Sequence, residues 1–332
     1  MRKLTPLWIL APALLISMAV SGSAVADQIL IGISKIVAHP ALDALEKGVQ
    51  DGVRQSFPDA RFDLQNANGE VSTAASIAQK FKAQKTAVAV GIATPTAQAL
   101  ANVIKDRPVV FCAVTDPVGA GLVRSLDVGE KLITGTSDMT PVREQIELLL
   151  RMKPIRSLGH VYSSSEANAV TLAKIAKQIC KQKRIEFVES TISNSAEVKQ
   201  AVQAIAGRVD AIYISNDNTV VSAISAVTSV AKKHKIPVMS ADPSSAETND
   251  VLAAWGFDYY KMGVVTGKLV TRILKGASPA DIPTVFMTEP SDVDLLINLD
   301  VAKHLGIDVP ADIKATANTV IAGGKLQRKR KQ

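Results

Sequence analysis

Aromatic residues are scarce in this sequence, at 4% of 332 residues. Sites for neutral sugars and nucleosides rely on stacked rings, so the scarcity counts against such a ligand. Only two cysteines occur, Cys112 and Cys180, which excludes a disulfide-dense scaffold. Cys112 lies in a strand-like run and Cys180 in a helix-like one, in different halves of the chain. Both are therefore expected as free buried thiols. No Cys/His cluster has metal-ligand spacing. No Gly-x-Ser-x-Gly elbow is present, so an α/β hydrolase would lack its nucleophile. Gly119-Ala120-Gly121 lacks the third glycine of a dinucleotide fingerprint. Neither a phosphate loop with Gly-Lys-Ser/Thr nor His-Glu-x-x-His occurs. No cofactor, metal or catalytic residue is expected.

A charge excess is also missing from the body of the chain. The formal net charge is +7. Arg2, Lys3, Lys325, Arg328, Lys329, Arg330 and Lys331 supply all of it, and no acid lies among them. Residues 325–332 read as a solvated, disordered basic tail rather than a nucleic-acid arm. At the other end, Arg2 and Lys3 precede the uncharged run Trp8–Val20, and Ala24-Val25-Ala26 follows as a small-x-small cleavage site. That order is a signal peptide over residues 1–26, cleaved after Ala26. The run is short of the roughly 20 apolar residues of a membrane span. No Cys stands near the cleavage site, so a lipid anchor is not expected. An exported, periplasmic protein follows, and export makes nucleic acid an improbable partner.

What is present is alternation. Strand-like runs at Ile29–Ile33, Phe62–Leu64, Ala87–Gly91, Val109–Val114, Leu158–Tyr162, Glu186–Glu189, Ala211–Ile214 and Val238–Ser240 alternate with helical stretches. One such stretch carries Leu172, Ile175, Ala176 and Ile179 at helical spacing. This is an α/β pattern of parallel sheets flanked by helices. The series runs twice. Gly32 and Gly159 stand 127 residues apart, Pro108 and Pro237 129, Asp116 and Asp242 126, and Thr94 and Asn216 122. Their shared order predicts two similar lobes. The first spans residues 27–138 plus 256–288, the second 139–255 plus 289–324. Three crossings, near Ser137–Thr140, Ala253–Gly256 and Thr288–Ser291, form the hinge. Ligands bind beyond the C-terminal strand ends of parallel sheets, so two facing lobes make a binding cleft.

Several stretches then carry a family likeness. They include Ile31-Gly32-Ile33 through His39-Pro40-Ala41-Leu42-Asp43, Ala93-Thr94-Pro95-Thr96, Val110 through Thr115-Asp116-Pro117-Val118-Gly119-Ala120-Gly121-Leu122-Val123, Ser137-Asp138, Tyr162 through Asn168, Asp217-Asn218 and Asp258-Tyr259-Tyr260. The chain resembles the ABC-type substrate-binding proteins with the type I periplasmic-binding fold. The resemblance implies a monomer that captures a small solute and passes it to a membrane permease with its ATPase. Relatives include binders of tryptophan and related aromatic amino acids. One departure is Asp242-Pro243-Ser244-Ser245-Ala246-Glu247, where the family often has a Gly-Ala stretch. The alternatives are an exported receptor for a sugar or nucleoside, or a ligand-presenting partner of a membrane sensor.

Candidate ligand residues sit at the strand ends. Thr94 caps a helix start, Pro95 occupies its first turn, and Thr96 follows. Free N–H groups there attract a carboxylate. Thr115 can add a hydroxyl, whereas Asp116-Pro117 reads as a turn. In the second half, Tyr162 either covers an apolar ligand side chain or lies at the core edge. Glu166 is either an ammonium partner or an acid placed for the helix dipole. Asn216-Asp217-Asn218 has more polar groups than one cap requires. Asp217 is the preferred partner for a ligand amine, with Asp242 second. His39 alone reads as a surface or capping residue, and the resemblance places it in the cleft. Of Tyr259 and Tyr260, one is expected to seal the hinge and the other to enter the core. The expected ligand is an α-amino acid, aromatic or large and apolar.

Overall fold

The computed structural model describes residues 29–329. The leader and its cleavage site lie outside the described residues. The first half runs β1 (Leu30–Lys35), α1 (Pro40–Arg54), β2 (Arg61–Asn66), α2 (Val71–Ala83), β3 (Val88–Ile92), α3 (Thr94–Val103), β4 (Val109–Cys112) and β5 (Ile133–Ser137). The second runs α4 (Val142–Met152), β6 (Ser157–Ser163), α5 (Ala167–Lys183), β7 (Glu186–Ile192), α6 (Val198–Ala206), β8 (Ala211–Ile214), α7 (Asn218–Ser222), α8 (Ile224–His234), β9 (Val238–Ser240), α9 (Pro243–Ala246) and β10 (Ala253–Phe257). The chain then adds α10 (Tyr259–Leu274), β11 (Val285–Phe286), β12 (Val293–Asn298), α11 (Leu299–Leu305), α12 (Ala311–Thr316), β13 (Thr319–Ala322) and β14 (Lys325–Arg328).

Two sheets result. One has the order β11-β5-β4-β3-β1-β2, the other β14-β13-β12-β10-β9-β8-β6-β7. The series 5-4-3-1-2 and 10-9-8-6-7 are the same plan used twice, as the landmark spacings predict. All pairs in the first sheet are parallel. In the second, only β10–β12 and β13–β14 are antiparallel. Central strands such as β3 (VAVGI) and β4 (VVFC) are buried throughout, because helices cover both faces of a parallel sheet. The chain crosses between the sheets after Ser137, after Phe257 and after Phe286. Cys112 and Cys180 are free and buried in the cores of different lobes.

After the second crossing, α10 returns to pack along α1. Gly48 and Gly52 of α1 face Gly263 and Gly267 of α10. A Cβ at Gly52 would lie 2.6 Å from the Val264 carbonyl oxygen, and one at Gly267 would overlap the Val49 carbonyl. The backbones approach closely because these side chains are absent. Leu42, Leu45, Val49 and Val53 of α1 meanwhile enter the core of the first lobe. This contact fixes the start of α10, and with it Tyr259, at the floor of the cleft.

Between Asn218 and His234 the helix breaks at Ala223 into α7 and α8. One expectation changes. The basic tail, expected to be disordered from Lys325, forms β14 on the sheet edge. Gly323 and Gly324 both have positive φ, 59° and 69°, the backbone of a tight hairpin turn. Their N–H groups donate to the Asp300 carboxylate at 2.8 Å each. Arg328 pairs with Glu247 at 2.5 Å, and Lys329 donates to the Ala315 carbonyl at 2.6 Å. Residues 330–332 lie outside the described residues.

Candidate functional site

The strand ends of the two sheets face each other across a narrow, partly open cavity of about 20 Å³. The first lobe lines it with His39, Ala41, Leu42, Ala113 and Thr115, and α10 adds Tyr259. The second lobe supplies Asn168, Asn216, Asp217, Asn218, Val221 and Asp242. Asp138, on the first crossing, completes the lining. No lysine or arginine is among these residues.

Asp138 joins the lobes. Its Oδ1 accepts from the Thr115 hydroxyl at 2.9 Å, and its Oδ2 accepts from Asn216 Nδ2 at 2.9 Å. One donor thus comes from each side of the cleft. Burial pushes the Asp138 carboxyl up to about 6, although both hydrogen bonds pull it down. Sequence reasoning placed Asp138 at a hinge and missed it as a site residue.

Asp217 lies where expected but is already engaged. Its Oδ1 accepts from Val220 N at 2.9 Å, which caps α7, and its Oδ2 accepts from Ser163 N at 2.6 Å. Burial, and then the charge of Glu166, raise its carboxyl well above the usual range. Asp242 similarly caps α9: it accepts from Ser244 N at 2.9 Å and from the Ser245 hydroxyl. Glu166 is buried and turns to α7, not to the void. It accepts from Thr219 N at 2.9 Å, Thr219 Oγ1 at 2.7 Å and Asn218 Nδ2 at 2.5 Å. Although it stands at the N-cap position of α5, its carboxylate caps a helix other than its own.

Several buried polar atoms have no partner. They include both ring nitrogens of His39, the Oδ1 atoms of Asn168 and Asn216, and the Thr94 hydroxyl. His39 occupies the N-cap position of α1 without making a side-chain cap bond. Its ring lies at the lining beside Asn218. Burial holds it below the usual histidine range, opposed first by the charge of Asp242. Thr94 starts α3, but its hydroxyl does not line the void. Thr96 turns its hydroxyl back to the Ile92 and Ala93 carbonyls at 2.5 and 3.1 Å, which is internal helix bonding. At that strand end Ala93 has φ 73°, and Ala113 at the next has φ 54°. Such left-handed backbone in non-glycine residues is stored at functional sites.

Tyr162 is not in the lining. Its ring stacks on His160 at 5.6 Å, and its hydroxyl lies 3.4 Å from Glu189. Tyr259 provides the aromatic wall instead, while Tyr260 is exposed and donates to Asp51 at 3.0 Å. Asn168 and Tyr259 join Asp138 as residues the sequence reading missed, whereas Asn218 belongs to the polar run it singled out. Each sits beyond a strand end or at a helix start, where the parallel-sheet rule directs attention.

Comparison with known proteins agrees with this geometry. The family model for ABC transporter substrate binding proteins matches residues 30–321. A tyrosine-binding protein of Clostridioides difficile is 37% identical over 83% of this chain and 80% of its own length. An ABC domain of Streptococcus pneumonia, solved in complex with L-Trp, is 34% identical, covers 89% of this chain and all of its own, and superimposes with a TM-score of 0.84. A ligand-free, open substrate binding protein with adhesive properties from Clostridium difficile is 35% identical over 85% of this chain and 96% of its own, yet superimposes at 0.63. Two similar lobes, three crossings and a buried polar cleft are the type I periplasmic-binding fold, and the chain belongs to the ABC transporter substrate binding protein family.

Proposed function

We propose that the chain is the exported solute-binding component of an ABC importer. It carries one L-amino acid with an aromatic or large apolar side chain, releases it unchanged to the permease, and acts as a monomer. The observation that carries this reading is the set of partnerless buried polar atoms from both lobes around one void. An unsatisfied buried donor or acceptor costs about 1–3 kcal/mol, so His39, Asn168 and Asn216 together favour a polar occupant. Leu42, Val221, Ala41, Ala113 and Tyr259 offer an apolar wall. The tyrosine-binding and L-Trp-bound relatives support the side-chain class.

The energies suffice. Micromolar binding corresponds to about −8 kcal/mol. Charge-assisted hydrogen bonds supply roughly 1.5–3 kcal/mol each, and burial of one aromatic side chain supplies roughly 1.5–3 kcal/mol. Lobe closure then holds the ligand away from water. Calorimetric titration with L-tyrosine, L-tryptophan and a panel of neutral sugars and nucleosides tests the assignment. One-to-one binding of an aromatic amino acid is expected. Tight binding of a sugar or nucleoside with no amino-acid binding rejects it.

A further inference from the structure

Asp138, Asp217 and Asp242 all line the void, and Glu166 is buried directly behind Asn218. The hydrogen-bond donors to these acids are neutral. Asp138 takes Thr115 and Asn216, Asp217 takes backbone N–H groups, Asp242 takes Ser244 N and Ser245 Oγ, and Glu166 takes Thr219 and Asn218. The lining offers no fixed positive charge to offset them.

A second feature is independent of the acids. Asn168 and Asn216 are only 3% and 9% exposed, and both amide oxygens lack a partner. Each amide is oriented by its other end. Asn168 Nδ2 donates to the Asn216 carbonyl at 2.7 Å, and Asn216 Nδ2 donates to Asp138. What remains is a pair of buried, unpartnered acceptors on two lining residues, beside acids that have no basic partner. The matching group is a cation with several N–H bonds. A primary ammonium has three.

We infer that the cleft selects its ligand through the ammonium group rather than the carboxylate, so that it accepts primary arylalkyl amines as a ligand class and rejects the corresponding acids. The inference rests on the amino-acid reading above. A ligand carboxylate meets few donors, because the Thr115 hydroxyl is already given to Asp138 and the His39 ring is neutral, and it is repelled by the surrounding acids. Removing it gives up a few neutral hydrogen bonds and relieves that repulsion. Removing the ammonium leaves the two amide oxygens unpaired and the acids without a countercharge.

The test needs no variant. The wild-type mature protein is titrated calorimetrically near neutral pH with L-tyrosine, tyramine and 3-(4-hydroxyphenyl)propionate, and with L-tryptophan, tryptamine and indole-3-propionate. The amine is expected to bind within about tenfold of its amino acid, and the acid more than about 100-fold more weakly, since each charge-assisted bond is worth about a factor of ten or more. An acid that binds near its amino acid while the amine does not overturns the inference and leaves the amino-acid reading standing. An amine that binds without either amino acid supports ammonium selection and rejects the amino-acid reading. Failure of all six compounds to bind overturns both.

Discussion

Replacing Asp138 by asparagine tests the electrostatics of the cleft. Burial moves this carboxyl from 3.8 to about 6. At about 1.4 kcal/mol per pH unit, ionisation therefore costs the ligand-free native state roughly 3 kcal/mol relative to the unfolded chain. Between 3.8 and about 6 the native protein holds a proton that the unfolded chain has released. The residue's contribution to stability thus falls as pH rises through that window and stays low above it. Asparagine cannot ionise. Thr115 can still donate to the retained oxygen, and Asn216 can turn its amide, because its own Oδ1 is partnerless. The turn gives up the bond from Asn216 Nδ2 to the Asp138 carbonyl, 3.1 Å long, at about 1 kcal/mol. Ligand-free Asp138→Asn should therefore be more stable than wild type by about 1–2 kcal/mol near pH 7.5, and the gap should close toward about pH 4.5. Urea unfolding of both proteins at both pH values measures this, and the difference between them removes the other carboxyls' titrations. A variant destabilised by one margin at both pH values refutes the account. With ligand the sign reverses: losing the carboxylate should weaken an amino acid by about 10- to 100-fold near neutral pH.

Three further outcomes are expected. Tyr162→Ala should leave ligand affinity within about twofold, as for a residue outside the site; a large loss by calorimetry would return Tyr162 to the cleft. Gly267→Val forces a Cβ onto the Val49 carbonyl of α1 and should lower first-lobe stability by roughly 1–3 kcal/mol, seen in thermal unfolding, whereas the exposed Lys47→Ala should change it by less than about 1 kcal/mol. Solution scattering should show compaction when a bound amino acid is added to ligand-free protein, and identical profiles at verified saturation would reject hinged closure.

Much of the fold is legible in the sequence because it rests on periodicity and repetition. Buried runs such as VVFC announce central strands, and the doubled Asp-Pro and Pro landmarks announce two lobes with one plan. The cleft is legible only at the level of strand ends. Which side chains turn into it depends on caps that bridge separate loops. Glu166 reads as an acid of its own helix until α7 arrives beside it, when three donors capture its carboxylate. Asp217 and Asp242 stand on the lining, with their oxygens occupied by helix starts. Tyr162 follows His160 by two residues on β6, so the strand's period of two sends both rings to one face. Tyr259 depends on the α1–α10 contact, a packing of glycines far apart in sequence. The terminal strand is signalled by Gly323-Gly324, a hairpin turn set within a basic, tail-like composition.

The central claim, that one amino acid is held between the lobes and left chemically unchanged, is tested most directly by native mass spectrometry of freshly purified mature protein. The expected spectrum shows one small-molecule adduct per chain, released on unfolding as an intact aromatic or large apolar amino acid. A sugar, a nucleoside or a chemically altered product in its place would contradict the account.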